Sequence, residues 1–141
     1  MVFPTTPADA LVTVVVVTYN SAHCVAALAQ DLGHLPHVVV VDNASTDGTV
    51  ATVQRLLPHA EVVNNPSNKG FGAANNLALQ RTTTPFALLL NPDCRLSPDG
   101  LRDLLAHAVA HPDTAILAPQ LVDPQGHPEV NYRWPSTLWT S

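Results

Sequence analysis

The stretch that decides the fold is Val38-Val39-Val40-Val41-Asp42-Asn43-Ala44-Ser45-Thr46-Asp47-Gly48, a run of valines that ends abruptly in polar residues. Two other apolar runs, at residues 12–17 and 86–90, end in the same way, in Thr18-Tyr19-Asn20-Ser21 and in Asn91-Pro92-Asp93. A parallel strand that helices cover on both faces has such a near-continuous apolar sequence. Ligands of open α/β sheets bind outside the carboxyl ends of the strands, so the three polar clusters predict one binding site.

Apolar periodicity and cap residues predict strands that alternate with helices along the whole chain. Five strands are predicted, at residues 11–18, 37–41, 61–64, 86–90 and 114–118. Helices are predicted after Ser21, after Ser45 or Thr46, from Phe71 to Arg81, and after Ser97, which precedes Pro98. The third of these places Phe71, Ala74 and Ala78 on one face. This order predicts a three-layer α/β fold with a mostly parallel sheet.

Three regions are expected along the chain: a flexible arm at residues 1–10, the α/β domain at residues 11–135, and a tail at residues 136–141. A turn is predicted at residues 123–126, followed by a short extended segment near Val130.

Composition and charge exclude several classes of protein. The formal net charge is −5 and the six basic residues are scattered, which argues against nucleic acid as a partner. The longest valine run is far shorter than the ~20 apolar residues that span a bilayer, so no transmembrane segment is expected. The first residues lack a signal peptide, and Cys24 and Cys94 fit no zinc motif. We therefore expect a cytoplasmic protein with reduced thiols, with the inner membrane face as an alternative location.

Asp42 and Asn43 are the first candidate binding residues. A carboxylate at the end of a strand can accept hydrogen bonds from a nucleobase imide or a ribose hydroxyl, and an amide can both donate and accept. The alternative is that Asp42 and Asn43 only cap the next helix. Ser45 and Thr46 are available for that capping, which favours the binding role.

The cluster Asn91-Pro92-Asp93 is the candidate metal site. Pro92 has a fixed φ and stiffens the turn that presents Asp93. Mg²⁺ or Mn²⁺ uses few protein oxygens and keeps positions for water and substrate phosphates, so one carboxylate suits either ion.

The segment from Asn68 to Gly72 opens the third predicted helix. Its glycines allow close backbone approach, and a helix N-terminus favours anions. Of Asn75 and Asn76, one is expected to face a ligand and the other to be exposed. Lys69 fits a phosphate contact and a solvated loop position equally well.

Four motifs together resemble the nucleotide-binding half of family 2 glycosyltransferases, most closely the rhamnosyltransferase-like branch. They are V-T-V-V-V-V-T-Y-N-S at residues 12–21, V-V-V-V-D-N-A-S-T-D-G-T at 38–49, N-K-G-F-G-A-A-N-N at 68–76, and L-L-L-N-P-D at 88–93. The resemblance covers residues 11–135 and implies a GT-A fold, which is a Rossmann-like nucleotide-binding domain.

The resemblance also implies roles for individual residues. Thr18 and Asn20 would line the nucleotide pocket with Tyr19 near the base, and Asp42 would bind the base, normally uracil or thymine, with Asn43 nearby. Asn68, Gly70 and Asn75 would border the base and the sugar-phosphate, and Asn91 would contact ribose or sugar. Asp93 would bind Mg²⁺ or Mn²⁺ at the position of the family's D-x-D motif, whose first acid is Asn91 here.

The family's reaction is inverting transfer of a sugar from a UDP- or dTDP-sugar to an acceptor hydroxyl. In the family the catalytic base lies in a downstream acceptor-binding half, which this chain does not include, so the catalytic residue stays unassigned. After Asp113 the only carboxylates are Asp123 and Glu129, and both flank a turn.

Two hypotheses follow. In the first, a partner chain or a second copy supplies the acceptor half of an active enzyme, with an acceptor that stays unknown. In the second, the chain is a non-catalytic nucleotide-sugar-binding module or a truncated remnant. An uncovered apolar patch near Trp134, Leu138 and Trp139 would favour self-association. A dinucleotide oxidoreductase is disfavoured because no G-x-G-x-x-G follows the first strand.

Overall fold

The structure is a computed structural model that describes residues 7–129. The chain divides into two compact units, residues 1–103 and residues 104–141. The strands are β1 (Val12–Thr18), β2 (Val38–Asp42), β3 (Glu61–Asn64) and β4 (Phe86–Leu90). The α-helices are α1 (Val25–Leu32), α2 (Thr49–Leu56), α3 (Phe71–Leu79) and α4 (Pro98–Ala110), and short 3₁₀ helices cover Ala8–Leu11 and Ala22–Cys24.

The first unit contains a four-stranded sheet in the order β3-β2-β1-β4, and every pair of neighbouring strands is parallel. Consecutive strands therefore need helical crossovers, which α1, α2 and α3 supply. The predicted α/β fold with a mostly parallel sheet is confirmed.

The two central strands form the core. Every residue of β1 and β2 is buried, as expected for strands covered on both faces. Helix α3 contacts both strands, and its Ala74 and Ala78 pack in one cluster with valines of β1 and β2. Their small side chains let the helix approach the sheet closely. Each fully buried valine contributes about 1.5–3 kcal/mol relative to an exposed one.

The predicted fifth strand is wrong. Residues 114–118 contain no strand, and the side chain of Ile116 is 85% exposed. A strand needs a neighbour that satisfies its backbone groups, and within residues 7–129 this segment pairs with none. Short apolar runs are ambiguous without such a partner.

The face predicted for Phe71, Ala74 and Ala78 is not buried along its whole length. The side chain of Phe71 is 54% exposed, whereas Ala74 and Ala78 are fully buried. Phe71 is the first residue of α3, and the two alanines one and two turns later pack against the sheet together with the partly buried Leu77. The helix ends at Leu79 rather than at Arg81.

The described part of the second unit, residues 104–129, contains the end of α4 and irregular chain. The turn predicted at residues 123–126 is present: the Gly126 N–H donates to the Asp123 carbonyl over 2.9 Å. Val122 and Pro128 flank it in an antiparallel bridge. Val130 and the tail lie outside the described residues, as do residues 1–6 of the predicted arm. Within residues 7–129, no helix is long and apolar enough to cross a membrane.

Candidate functional site

The register of the sheet brings the polar clusters to one edge. Thr18 is paired with Asp42, and Asp42 with Asn64, so the last residues of three neighbouring strands stand in one row. On the other side of β1, Leu90 is paired with Val16. The chain after Leu90 therefore continues past the same edge. The residues that the sequence singled out therefore lie at or just beyond the ends of β1, β2 and β4.

Asp42 is buried, with 2% of its surface exposed, and its carboxylate is hydrogen-bonded on both oxygens. Oδ1 accepts from the Thr18 hydroxyl over 2.7 Å and from the Ser45 hydroxyl over 2.5 Å, and Oδ2 accepts from the Ser45 N–H over 2.8 Å. These bonds satisfy a charge that would be costly to bury alone. They also fix the end of β1 against the loop that follows β2.

The cap of α2 differs from the prediction. Neither Ser45 nor Thr46 caps it, because the helix begins at Thr49 after Gly48, whose φ is +85°. Asp42 does not cap it either. Asp47 does so instead: its Oδ1 accepts from the Thr49 N–H over 3.0 Å.

Asp47 also links two loops. Its Oδ2 accepts from the Ala22 N–H over 3.0 Å, at the start of the 3₁₀ helix that follows β1. The hydrogen bond from the Thr49 hydroxyl, followed by that from the Ala22 amide, lowers the pKa of Asp47 below its ordinary value of 3.8. Sequence analysis missed this link. The available signal was an acid two residues before Thr49, with a glycine between them.

Asn20 joins the same two loops from the β1 side. Its N–H donates to the Ser45 hydroxyl over 2.8 Å, and its Oδ1 accepts from the Thr46 N–H over 2.9 Å. Its φ of 49° lies in the left-handed region, which asparagine tolerates better than most residues. The preceding residue, Tyr19, is 55% exposed at the rim of the edge.

Asn43 is the central connector of the edge, and 2% of its surface is exposed. Its N–H donates to the Thr18 carbonyl over 2.8 Å, and its Nδ2 donates to the Gly70 carbonyl over 3.3 Å. Its Oδ1 accepts from Asn65 Nδ2 over 2.8 Å. Asn43 therefore ties β1, β2, the end of β3 and the start of α3 together. Asn65 is a second residue that sequence analysis missed, because its partner is remote in sequence.

The start of α3 is shaped by Asn68 and Gly70. The Gly70 N–H donates to Asn68 Oδ1 over 2.9 Å, and the φ of Gly70 is +84°, a conformation that favours glycine. Asn75 is buried and donates from Nδ2 to the Phe71 carbonyl over 3.0 Å, whereas Asn76 is exposed. Lys69 is exposed in the loop.

Asn91 and Asp93 lie beyond the end of β4, and both are exposed. The Cys94 N–H donates to the Asn91 carbonyl over 3.1 Å and closes the turn. Burial and, to a smaller extent, the charge of Asp93 raise the pKa of the Cys24 thiol. No hydrogen bond between described residues connects Asn91 or Asp93 to the network around Asp42.

The oxygen groups at this edge fit a hard divalent cation whose coordination is completed by the substrate. Within residues 7–129, no group of three or more His, Cys, Asp or Glu side chains could enclose a metal. Mg²⁺ is often bound by one or two carboxylates, with water and substrate phosphates at its other positions. The exposed carboxylate of Asp93 meets that requirement.

Residues 13–139 match the glycosyl transferase family 2. The chain belongs to this family. It is also similar to S. aureus TarS in two crystal structures, at 30% sequence identity over 71% of this chain in both. The structure of TarS residues 1–349 superposes with a TM-score of 0.63, and the other TarS structure with 0.59.

The aligned region covers 32% of the first TarS chain and 20% of the second, so this chain spans a minor part of both. No curated protein matches it. The predicted family is confirmed, and the solved structures agree with the predicted Rossmann-like GT-A fold. Members of this family generally use divalent metal ions.

Proposed function

We propose that this family 2 chain is the donor-binding part of a glycosyltransferase. It would hold a UDP- or dTDP-sugar together with Mg²⁺ or Mn²⁺ for inverting transfer of the sugar to an acceptor hydroxyl. The observation that carries this proposal is the pairing of a rigid, hydrogen-bonded edge at β1, β2 and α3 with an exposed carboxylate at the end of the neighbouring strand β4.

The edge retains capacity to bind the polar groups of a pyrimidine. An ionised carboxylate has about four acceptor positions, and Asp42 uses three of them within the chain. The remaining position on Oδ2 suits the imide N–H of uracil or thymine. Thr18, Asn20 and Asn43 would shape the pocket around Asp42, and Tyr19 would face the base.

The diphosphate fits the start of α3. The first N–H groups of a helix have no partner within it, and they favour a bound anion. Here the helix begins directly after Gly70, whose own N–H is taken by Asn68. Asn75 would border the sugar-phosphate from the next turn. Asn91 would contact ribose or sugar from the opposite side.

Asp93 would hold the metal ion against the diphosphate. When bound, the ion neutralises negative charge on the leaving nucleoside diphosphate. The role of the chain is to present one carboxylate beside the phosphate position, at the end of a strand whose partner β1 carries the base-binding residues.

An acceptor hydroxyl needs a general base, and the described residues do not offer a suitable one. Asp123 accepts hydrogen bonds from the N–H groups of His127 and Gln125. Both bonds lower the pKa of Asp123, and the bond from His127 has the larger effect. A carboxylate held in this way is a weak proton acceptor. We propose that groups outside residues 7–129 supply the base and the acceptor site. The alternative is a nucleotide-sugar-binding module without catalysis.

Isothermal calorimetry of the purified chain tests the donor site. UDP or dTDP should bind in the presence of Mn²⁺ and more weakly without it, while ADP should bind poorly. Absence of heat with both pyrimidine nucleotides would refute the proposal. Release of UDP from UDP-sugars in the presence of candidate acceptors then separates the two alternatives, because only the catalytic hypothesis predicts turnover. Light scattering at high concentration reports whether a second copy associates.

A further inference from the structure

The exposed aromatic side chains of the described structure are concentrated at the candidate site. Residues 7–129 include three Phe, Tyr or Trp residues: Tyr19, Phe71 and Phe86. Tyr19 is 55% exposed and Phe71 is 54% exposed, and both lie at the carboxyl edge of the sheet. Phe86 is partly buried and starts β4 at the opposite edge.

Asn43 lies between the two exposed aromatic residues. Its N–H donates to the carbonyl of Thr18, the residue before Tyr19, over 2.8 Å. Its Nδ2 donates to the carbonyl of Gly70, the residue before Phe71, over 3.3 Å. The backbones that carry Tyr19 and Phe71 are thus each fixed to one buried side chain. Tyr19 and Phe71 therefore each directly follow a residue that is bonded to Asn43, whose neighbour in the chain is Asp42.

Neither the core nor helix capping accounts for Phe71. Ala74, Ala78 and the partly buried Leu77 pack α3 against β1 and β2, and the start of α3 is shaped by Asn68 and Gly70. A flat apolar ring that stays half exposed gains by covering another flat surface, and every nucleobase offers a π face for stacking.

We propose that Phe71 is a further donor-binding residue, which packs against the nucleobase on the face opposite Tyr19. The base would then lie between two aromatic side chains, with its polar edge toward Asp42 and Asn43. This inference rests on the proposed function, since it requires a nucleotide at this edge. It adds a residue that the resemblance did not assign.

Calorimetry on Phe71→Ala tests the inference with two ligands in the presence of Mn²⁺: UDP, and pyrophosphate, which has no base. We expect the affinity for UDP to fall by about 10-fold, because stacking of one base on an aromatic ring is worth roughly 1–3 kcal/mol. The affinity for pyrophosphate should stay unchanged. Phe71→Tyr, which keeps the flat ring, should bind UDP within about 2-fold of the wild type.

Leu79→Ala is the matched control, because Leu79 is 41% exposed at the far end of the same helix. It should leave both affinities unchanged. If Phe71→Ala fails to fold by circular dichroism, Phe71→Leu keeps the apolar volume without the ring, and the same loss for UDP alone is expected.

Three results would overturn the inference. If Phe71→Ala binds UDP with wild-type affinity, Phe71 does not contact the base and serves another surface, such as the acceptor half. The proposed function would still stand. An equal loss for UDP and pyrophosphate would assign Phe71 to the phosphate region or to the fold. No binding of either UDP or dTDP by the wild type would refute the proposed function as well.

Discussion

The end of β2 and the end of β4 carry the two carboxylates of the candidate site, and their surroundings are opposite. Asp42 is buried and accepts three hydrogen bonds from Thr18 and Ser45. Asp93 is exposed within the turn that the Cys94 N–H and the Asn91 carbonyl close, and its side chain makes no hydrogen bond to another residue of the described chain. Both follow buried or partly buried apolar strands, so sequence pattern alone makes them look alike.

The fold therefore fixes the carboxylate of Asp42, whereas the oxygens of Asp93 stay available to solvent and to a ligand. A buried group that is bonded on both oxygens cannot move without breaking its network, so its geometry is set by the fold. An exposed carboxylate keeps its oxygens for water, for a cation or for both. Substitution of Asp42 should therefore affect stability, and substitution of Asp93 should affect binding.

The largest expected effect is on folding. Asp42→Ala removes an acceptor from the Thr18 hydroxyl and from both donors of Ser45, leaving polar groups unpaired at a buried position. We expect the free energy of unfolding to fall by about 2–4 kcal/mol, as measured by urea denaturation. Asp103→Ala, at an exposed position on α4, should change it by less than about 0.5 kcal/mol. Equal stability of the two variants would show that the Asp42 network is not what holds this edge.

The next effect is on metal-dependent binding. Asp93→Ala should weaken binding of UDP in Mn²⁺ by about 100-fold, because the cation loses its protein ligand, with little change in the unfolding midpoint. Calorimetry in Mn²⁺ and in EDTA separates the two contributions: without metal, wild type and variant should bind alike. Asp113→Ala, at another exposed carboxylate, is the control. A similar loss in EDTA would mean that Asp93 acts without a cation.

A smaller, pH-dependent effect is expected at Asp47, the residue that connects the loops after β1 and β2. The pKa of Asp47 in the folded chain lies below its ordinary value of 3.8, so Asp47 contributes fully to stability at pH values well above 3.8. As the pH falls further, the unfolded chain binds the proton first and the contribution declines through the folded pKa. The stability difference between wild type and Asp47→Ala should therefore be constant from pH 7 to pH 5 and shrink below pH 3.8.

Urea denaturation at a series of pH values measures that difference. If the difference in unfolding free energy between wild type and Asp47→Ala does not change in acid, the charge of the carboxylate does not contribute to the loop contacts. Asp103→Ala, whose position is exposed, again provides the reference curve.

Sequence pattern predicted β1 and β2 well because burial on both faces demands continuous apolar residues, and the apolar run of β4 also forms a strand although Leu89 is 47% exposed. The runs before Thr18, Asp42 and Asn91 each gave a strand in the parallel sheet, and residues 61–64 gave β3. Ser97 and Pro98 marked the start of α4 correctly, since the Gly100 N–H donates to the Ser97 hydroxyl. These features depend on residues close together in the chain.

The failures depend on contacts that are remote in sequence. Residues 114–118 have strand propensity, but a strand also needs a neighbouring chain, and pattern does not reveal whether one is present. Phe71 shares the helical spacing of Ala74 and Ala78, but it is the first residue of the helix and stays 54% exposed. The Thr18 hydroxyl binds Asp42 across 24 residues of sequence, and Asn65, just after β3, supports Asn43 across 22. The positions of the candidate residues were therefore predictable, while their bonding partners were not.

The backbone of Ala44 has a consequence for attempts to re-engineer this site. Its φ of 64° is a left-handed conformation that disfavours an alanine by roughly 1–2 kcal/mol, and this bend returns Ser45 to Asp42. A β-branched side chain there would be strained further, so Val, Ile and Thr are poor choices for a library. Changes in ligand preference are better sought at Tyr19 and Phe71, where the side chains are exposed and the main chain can stay as it is.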